Sequence, residues 1–571
     1  MLESSRRAFL MGVGLAATTG SAVGARAAAA AGPAATTTAP SADLQPLIDH
    51  ERANIRAIMA KDDIPGVAVC FIHRGKPIWI EGFGVTAAKS NHRVGEHTIF
   101  SIQSTSKNFT AMAIMLGVQR GLLDLDEPIS TYLPDFTVQS RFDPIPARKM
   151  TLRLLLSHRA GFTHEAPVGN NFDPAFPDFE THVLSISRTW LRYPVGERYS
   201  YSNLGVDLAG YILQTVSKIP FAECLQTWIF EPLGMTETTA ATATYTQRAD
   251  RALGHAKNHA TVPLRIPLIP SGGVYTNARD VAAYLIFHLN KGAVAGHALL
   301  EERLWNEMHS FSFGGNYSLG VSRAEQRYGD TPLRMLNHNG GGFGFGCVCN
   351  YCPQSQLAWV ALFNRQADSG YGIGSELAQA LLRRQYGTRR PRMPASDLAP
   401  IDLRSTQLES FVGRYTGRLG SVELKLQDGK LGIQVGPVFT AQQFISPVDL
   451  FVVGPDDETV TSRYFPGTAE EAAHLECAIS DCSLDYNDGP HDAPGPDKPE
   501  WDQYLGNYQL HTWGQPSQTL KVYRKNGYLY LEDTRMMLET EPGLFFTTDG
   551  EAVDFRYAEP TWRNIRLTKT G

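Results

Sequence analysis

The sequence predicts an α/β domain, an antiparallel sheet flanked by helices with an all-helical region, followed by two small antiparallel β-barrel-like domains. Three observations predict it. Between residues 44 and 388, apolar runs at strand spacing alternate with segments at helical spacing. Arg389 to Pro400 then carries Pro391, Pro394 and Pro400 and reads as a linker. Beyond it strand patterns dominate, and Phe411-Val412-Gly413-Arg414-Tyr415 recurs as Tyr504-Leu505-Gly506-Asn507-Tyr508. Each copy is followed by a hairpin signal, Asp428-Gly429 within 422–434 and Asn526-Gly527 within 520–531. A chain of 571 residues exceeds one ordinary core and implies two to four domains. The expected division is a leader at 1–27, a linker at 28–43, the α/β domain at 44–388, a linker at 389–404, a β-domain at 405–487, a linker at 488–500 and a second β-domain at 501–571.

Element by element, the N-terminus reads as an export leader. Ser5-Arg6-Arg7-Ala8-Phe9-Leu10 is a twin-arginine pattern, a weakly apolar stretch runs to about Val23, and Ala25-Arg26-Ala27 offers a small-residue cleavage site. The expected destination is the periplasm or the exterior. Residues 67–72 and 78–80, with a turn at Arg74-Gly75-Lys76-Pro77, read as a β-hairpin. Helices are expected at Phe109–Gly121, Thr151–Ser157, Val206–Val216, Asp280–Leu289 and Glu376–Tyr386, and neighbouring strands at Gly342–Asn350 and Leu357–Asn364.

Composition narrows the function. With 43% hydrophobic and 19% charged residues the chain has the make-up of a globular protein. Its net charge of -6, with no basic cluster or stripe, points away from nucleic acid. After the N-terminus no strongly apolar run is long enough to span a membrane. The seven cysteines are Cys70, Cys224, Cys347, Cys349, Cys352, Cys477 and Cys482. Cys477 and Cys482 are close enough for a hairpin disulfide. Cys347, Cys349 and Cys352 do not complete a four-ligand metal site, and the first two fall on one face of a strand.

The chemistry gathers around Ser104-Thr105-Ser106-Lys107, the one Ser-x-x-Lys in the chain, at the start of a helix. At spacing i, i+3 the serine and lysine share a helix face. A serine hydroxyl needs a neighbour to take its proton, and a lysine in a dry, crowded site can do so. The helix N-terminus adds backbone N–H groups for a developing oxyanion. Tyr201-Ser202-Asn203 supplies a phenol for acid–base work and an amide that can orient a lysine or hold a carbonyl. Tyr275-Thr276-Asn277 has the same spacing and competes with it. His338-Asn339-Gly340 opens a glycine-dense strand where Gly340 and Gly341 allow close approach of a substrate backbone. There the histidine could bind a carboxylate or assist proton transfer. His73-Arg74-Gly75 shows the same pattern in a hairpin turn.

Taken in order, these motifs resemble the serine β-lactamase and penicillin-binding protein superfamily, of the class C and peptidase S12 type. Supporting segments are Leu122-Leu123-Asp124-Leu125-Asp126-Glu127-Pro128, Thr151 to Gly161, and Ser271-Gly272-Gly273-Val274-Tyr275-Thr276-Asn277-Ala278-Arg279-Asp280. The last leaves Tyr201 as the acid–base candidate, and His158 falls in a structural turn. The resemblance implies that Ser104 forms an acyl-enzyme, that Lys107 and Tyr201 share its activation, and that Asn203, His338 and Gly340 bind substrate. The backbone N–H groups of Ser104 and Gly341 make the oxyanion hole, and Tyr201 activates the deacylating water. The deacylating glutamate of class A enzymes has no counterpart. No cofactor or metal is implied. The C-terminal β-domains resemble those of bacterial D-aminopeptidases, in which extra domains shape or cover the active-site mouth; the Asp488 to Trp501 loop is the candidate here. The implied function is hydrolysis of an amide in a small peptide or D-amino-acid substrate. The alternatives are an esterase or β-lactamase using the same site, and a penicillin- or peptidoglycan-fragment-binding protein that does not turn over. Substrate identity and oligomeric state stay open.

Overall fold

The computed structural model describes residues 42–570 apart from 172–175, 263–268, 314, 391–397, 418–419, 436–437, 454–458, 467–472, 478–481, 489–494, 511–517 and 533–534. The twin-arginine leader and most of the 28–43 linker lie outside the described residues.

An eight-stranded sheet carries the first domain. Its strands are β1 (Gly66–His73), β2 (Lys76–Gly84), β3 (Ser322–Tyr328), β4 (Thr331–Asn337), β5 (Gly340–Gly342), β6 (Phe345–Cys352), β7 (Leu357–Phe363) and β8 (Arg389–Arg390). The spatial order is β8-β3-β4-β6-β7-β1-β2, with β5 paired to β6, and every pairing is antiparallel. Strand β1 is apolar almost throughout because both of its faces are buried. Val67, Val69 and Phe71 meet α1 (Gln45–Lys61) and the C-terminal helix of the domain, whereas Ala68, Cys70 and Ile72 meet the helical region. That region includes α2 (Ser106–Gln119), α3 (Leu152–Leu156), α4 (Asn203–Ser217) and α5 (Ala278–Leu289), and α6 (Ser375–Tyr386) closes the domain. Thr151 caps α3 by accepting from the Leu154 N–H, and Asn277 caps α5 by accepting from the Asp280 N–H.

The expected single strand at Gly342–Asn350 is two strands. Phe343 and Gly344 both have positive φ, 46° and 77°, and this turn separates β5 from β6. Cys347 and Cys349 share one buried face of β6, while Cys352 packs into the core on the other face, so the three thiols do not converge.

Beyond the linker, nine strands between Gly413 and Asp488 form one antiparallel sheet. Its first and last strands, Val438–Ala441 and Gln443–Phe444, are neighbours in the chain, so the sheet curls round on itself. Their edges are not joined among the described residues, which makes this domain a rolled sheet where a barrel-like one was expected. Cys477 and Cys482 are direct cross-strand partners in the backbone register, while their side chains lie outside the described residues. The last domain, from Gly506 to Lys569, is a closed eight-stranded barrel. The recurrent tyrosine motif has one job in both copies: the Tyr415 hydroxyl donates to the Phe411 carbonyl at 2.8 Å, and Tyr508 donates to Tyr504 at 2.8 Å. In each hairpin both turn residues have positive φ, at Asp428-Gly429 and Asn526-Gly527, as a tight two-residue turn requires. The described part of the 488–501 loop runs beside the second of these turns, with the Gly495 N–H donating to Asn526 and the Asp497 N–H to Gly527.

Candidate active site

Ser104 sits in a 3-10 turn, Gln103–Thr105, that leads directly into α2. The preceding Gln103 has left-handed backbone, φ 47°, and its amide is held by the Ser101 hydroxyl at 2.7 Å. A non-glycine residue in this region is uncommon, and here the tight entry into the turn requires it. One turn on, Lys107 is fully buried. Its Nζ donates to Ser104 Oγ at 3.1 Å, to Asn203 Oδ1 at 2.8 Å and to the Ser271 carbonyl at 2.8 Å. Three acceptors satisfy the three ammonium hydrogens, which makes a fully buried lysine tolerable and fixes the direction of its bond to the serine. The Tyr201 ring lies 5.0 Å from the same nitrogen.

Tyr201 stands in a nest of rings. His158 is 4.3 Å away and His164 5.7 Å away between centroids, with Tyr317 at 6.3 Å and His338 at 6.4 Å. His158 has φ 59°, as a structural turn demands, and its Nδ1 accepts from the Ser202 N–H at 3.2 Å. Asn203, the first residue of α4, faces Lys107 with its carbonyl and donates through its amide to Glu165.

His338 is buried at the end of β4. Its Nδ1 lies 2.8 Å from the Asn339 carbonyl, which can only accept, so this nitrogen carries the hydrogen and Nε2 accepts from the Tyr317 hydroxyl at 2.8 Å. Burial, reinforced by the nearby Lys107 ammonium, pushes its pKa down to about 3. Burial likewise holds the Tyr317 phenol well above its ordinary value. Next along, Gly340 packs so closely on the Ile102 carbonyl that a Cβ would overlap it, and Gly342 packs on the Gln103 side chain. Gly341 lies between them and is exposed, so the edge of β5 borders the serine turn. Tyr275 is the tyrosine the structure keeps apart: it is fully buried in a short strand, and Asn277 spends its side chain on the α5 cap.

Two residues that sequence reasoning missed complete the surroundings of Lys107. Asp207 is fully buried on α4 and accepts from both the Ser271 N–H at 2.9 Å and the Ser271 hydroxyl at 3.0 Å. It thereby fixes the carbonyl that Lys107 uses. His182 backs it at 3.2 Å; burial opposes charging that imidazole, but the Asp207 bond raises its pKa overall. Glu165 is also buried. It holds the Asn203 amide at 3.2 Å, His164 Nδ1 at 2.6 Å and the Asn171 amide at 2.8 Å. Burial alone would raise its pKa, but the His164 and Asn171 contacts hold the carboxyl below the usual range.

The Beta-lactamase family model matches residues 52–383, which take in Ser104, Tyr201 and His338 alike. The chain belongs to the beta-lactamase family. Among curated members, a beta-lactamase of Providencia stuartii is 28% identical over 344 residues, covering 54% of this chain and 85% of its own. The protein flp of Staphylococcus aureus strain COL is 24% identical over 249 residues, covering 43% of this chain. The chain spans about half the length of flp, 48%. The structure of the octameric penicillin-binding protein homologue from Pyrococcus abyssi superposes with a TM-score of 0.52 at 20% identity, covering 76% of this chain and 99% of that one. This likeness concerns the fold. The family match stops before the rolled sheet and the barrel, yet the barrel reaches the wall of the family's site. Asn564 Nδ2 donates to the Glu165 carbonyl at 2.7 Å, and the Thr163 hydroxyl donates to Glu551 at 2.5 Å. The described part of the 488–501 loop bonds to the Asn526-Gly527 turn of the barrel.

Proposed function

We propose that this protein is an exported serine hydrolase that cleaves an amide in a small peptide or D-amino-acid-containing substrate through an acyl-enzyme on Ser104. The observation that carries the reading is the buried Lys107 ammonium, which touches Ser104 Oγ and Asn203 Oδ1 at once beside the Tyr201 ring.

In this reading Ser104 Oγ attacks the substrate carbonyl carbon. Its proton passes to Tyr201, reacting as a tyrosinate beside the Lys107 ammonium, and the oxyanion takes hydrogen bonds from the backbone N–H groups of Ser104 and Gly341. Collapse returns the proton to the departing amine and leaves the acyl group on Ser104. Water, deprotonated towards Tyr201, then attacks the ester and restores the serine. Asn203 aligns the lysine and the substrate carbonyl, and Gly340 and Gly341 offer a strand edge along which a peptide can lie. His338, neutral and bonded through both ring nitrogens, orients Tyr317 and this edge in place of a second cation. A neutral histidine stands at the third motif, where many specialised β-lactamases carry a lysine, and this favours peptides over β-lactams.

The test incubates the protein with a fluorescent penicillin, D-amino-acid peptide amides and p-nitrophenyl esters, with Ser104→Ala alongside. Turnover of the amides that vanishes in Ser104→Ala is the expected result. Stable penicillin labelling without turnover of any substrate would show a binder, and equal behaviour of both proteins in every assay refutes the hydrolase. Export rests on Arg6 and Arg7; replacing both by lysine is expected to leave the protein in the cytoplasmic fraction.

A further inference from the structure

The geometry points to the C-terminal barrel as a built-in part of the active site: it clamps the Thr163–Glu165 loop, and through Glu165, a positioning residue, it sets where Asn203 and Lys107 sit. The inference rests on the hydrolase reading and deepens it.

The clamp has three points. The Asn564 amide holds the Glu165 carbonyl at 2.7 Å and reaches Thr189 Oγ1 at 3.3 Å. Glu551 accepts from the Thr163 hydroxyl at 2.5 Å. Arg192, on the catalytic side, donates through Nε to the Asp549 carbonyl at 2.5 Å, and the chain at Gly550 lies against the Arg192 backbone. These groups are buried: Thr163, Glu165, Arg192, Asp549 and Glu551 all lie away from solvent. The barrel thus grips the loop on both sides of His164.

From that loop two bonds run to one residue of the site. The His164 carbonyl accepts from the Asn203 N–H at 3.2 Å, and the Glu165 carboxylate accepts from the Asn203 amide at 3.2 Å. An asparagine amide has one carbonyl and one NH₂, so fixing the NH₂ on a carboxylate forces the carbonyl to the opposite side. There it receives Lys107 at 2.8 Å. Without Glu165 the amide could rotate and present its NH₂ to the ammonium, which would repel it. Glu165 therefore dictates the polarity of Asn203, and the barrel dictates the place of Glu165. A misplacement of a reacting group by about 1 Å costs on the order of 100-fold in rate, so the effect of losing the clamp belongs in kcat.

Two substitutions test it in the full-length protein. Glu165→Gln keeps the shape and removes the acceptor preference. Asn564→Gly removes the amide at a backbone of φ 65°, where glycine brings no strain. On a peptide amide that the unaltered protein cleaves, each is expected to lower kcat roughly 10- to 100-fold while KM stays within about threefold. Glu165→Asp is expected to recover part of the loss in Glu165→Gln. Near-UV circular dichroism reports folding, and Thr163→Val, which removes only the Glu551 contact, replaces any variant that does not fold. Folded variants with unchanged kcat, or with a loss confined to KM, overturn the clamp while the hydrolase stands. Absence of Ser104-dependent turnover in the unaltered protein overturns both.

Discussion

His338 offers the sharpest numerical test of the site. Its ring is 6% exposed, hydrogen-bonded at both nitrogens, and pushed down to about 3 by burial and by Lys107. At pH 6 a histidine near 6.5 is about three-quarters imidazolium, whereas His338 is charged in about one molecule per thousand. The perturbation is acid. Because the folded state binds this proton more weakly than the unfolded chain, the contribution to stability is complete above pH 6.5 and is lost as pH falls from there towards 3. Carried through, the difference between 6.5 and about 3 is worth on the order of 5 kcal/mol. The assay is ¹⁵N NMR of histidine-labelled protein, with His338→Gln assigning the resonance. The ring nitrogens are expected to keep the shifts of a neutral Nδ1–H tautomer from pH 8 to about pH 4.5. A midpoint between about 5.5 and 7.5 would refute the neutral, buried His338.

Gly340→Ala places a Cβ against the Ile102 carbonyl, which leads into the Ser104 turn; it is expected to destabilise by about 1–3 kcal/mol in denaturant titration and to slow Ser104-dependent cleavage of a peptide amide at least tenfold. Asp207→Asn leaves the buried His182 without its anion and gives the Ser271 N–H a poorer acceptor; a loss of about 3–5 kcal/mol by the same titration is expected, and less than 1 kcal/mol would contradict the network. Asp549→Asn removes a buried carboxylate facing Arg192 at 3.6 Å, Arg535 at 3.7 Å and Arg563 at 3.4 Å. It is expected to destabilise the barrel by about 3–5 kcal/mol. Asp497→Asn, which breaks the exposed pair with Arg524, is expected to change stability by less than about 1 kcal/mol.

Much of this was legible because it is local. The Ser104–Lys107 pair is one helical turn, the two hairpin turns are dipeptides, and the face shared by Cys347 and Cys349 follows from a period of two. The strand break at Phe343-Gly344 escaped because a glycine-dense run supports a continuous strand and a turn equally well. Glu165 and Asp207 escaped for a different reason. Each works on a residue 38 or 64 positions away, Asn203 or Ser271, and no spacing rule links a lone acid to such a partner. The barrel was readable as a fold from its alternation and turns. Its approach to the site was not, because Asn564 and Glu551 sit in short turns whose sequence carries no sign of what they face.

The bonds from Asn564 to Glu165 and from Thr163 to Glu551 join residues 399 and 388 positions apart. Contacts so distant form late, since the ends of a very long loop must meet before they contribute. The serine turn and its lysine belong to a helix whose backbone bonds are local in sequence. Refolding from denaturant should therefore restore helical content first and hydrolysis last, with a waiting period set by the docking of the barrel.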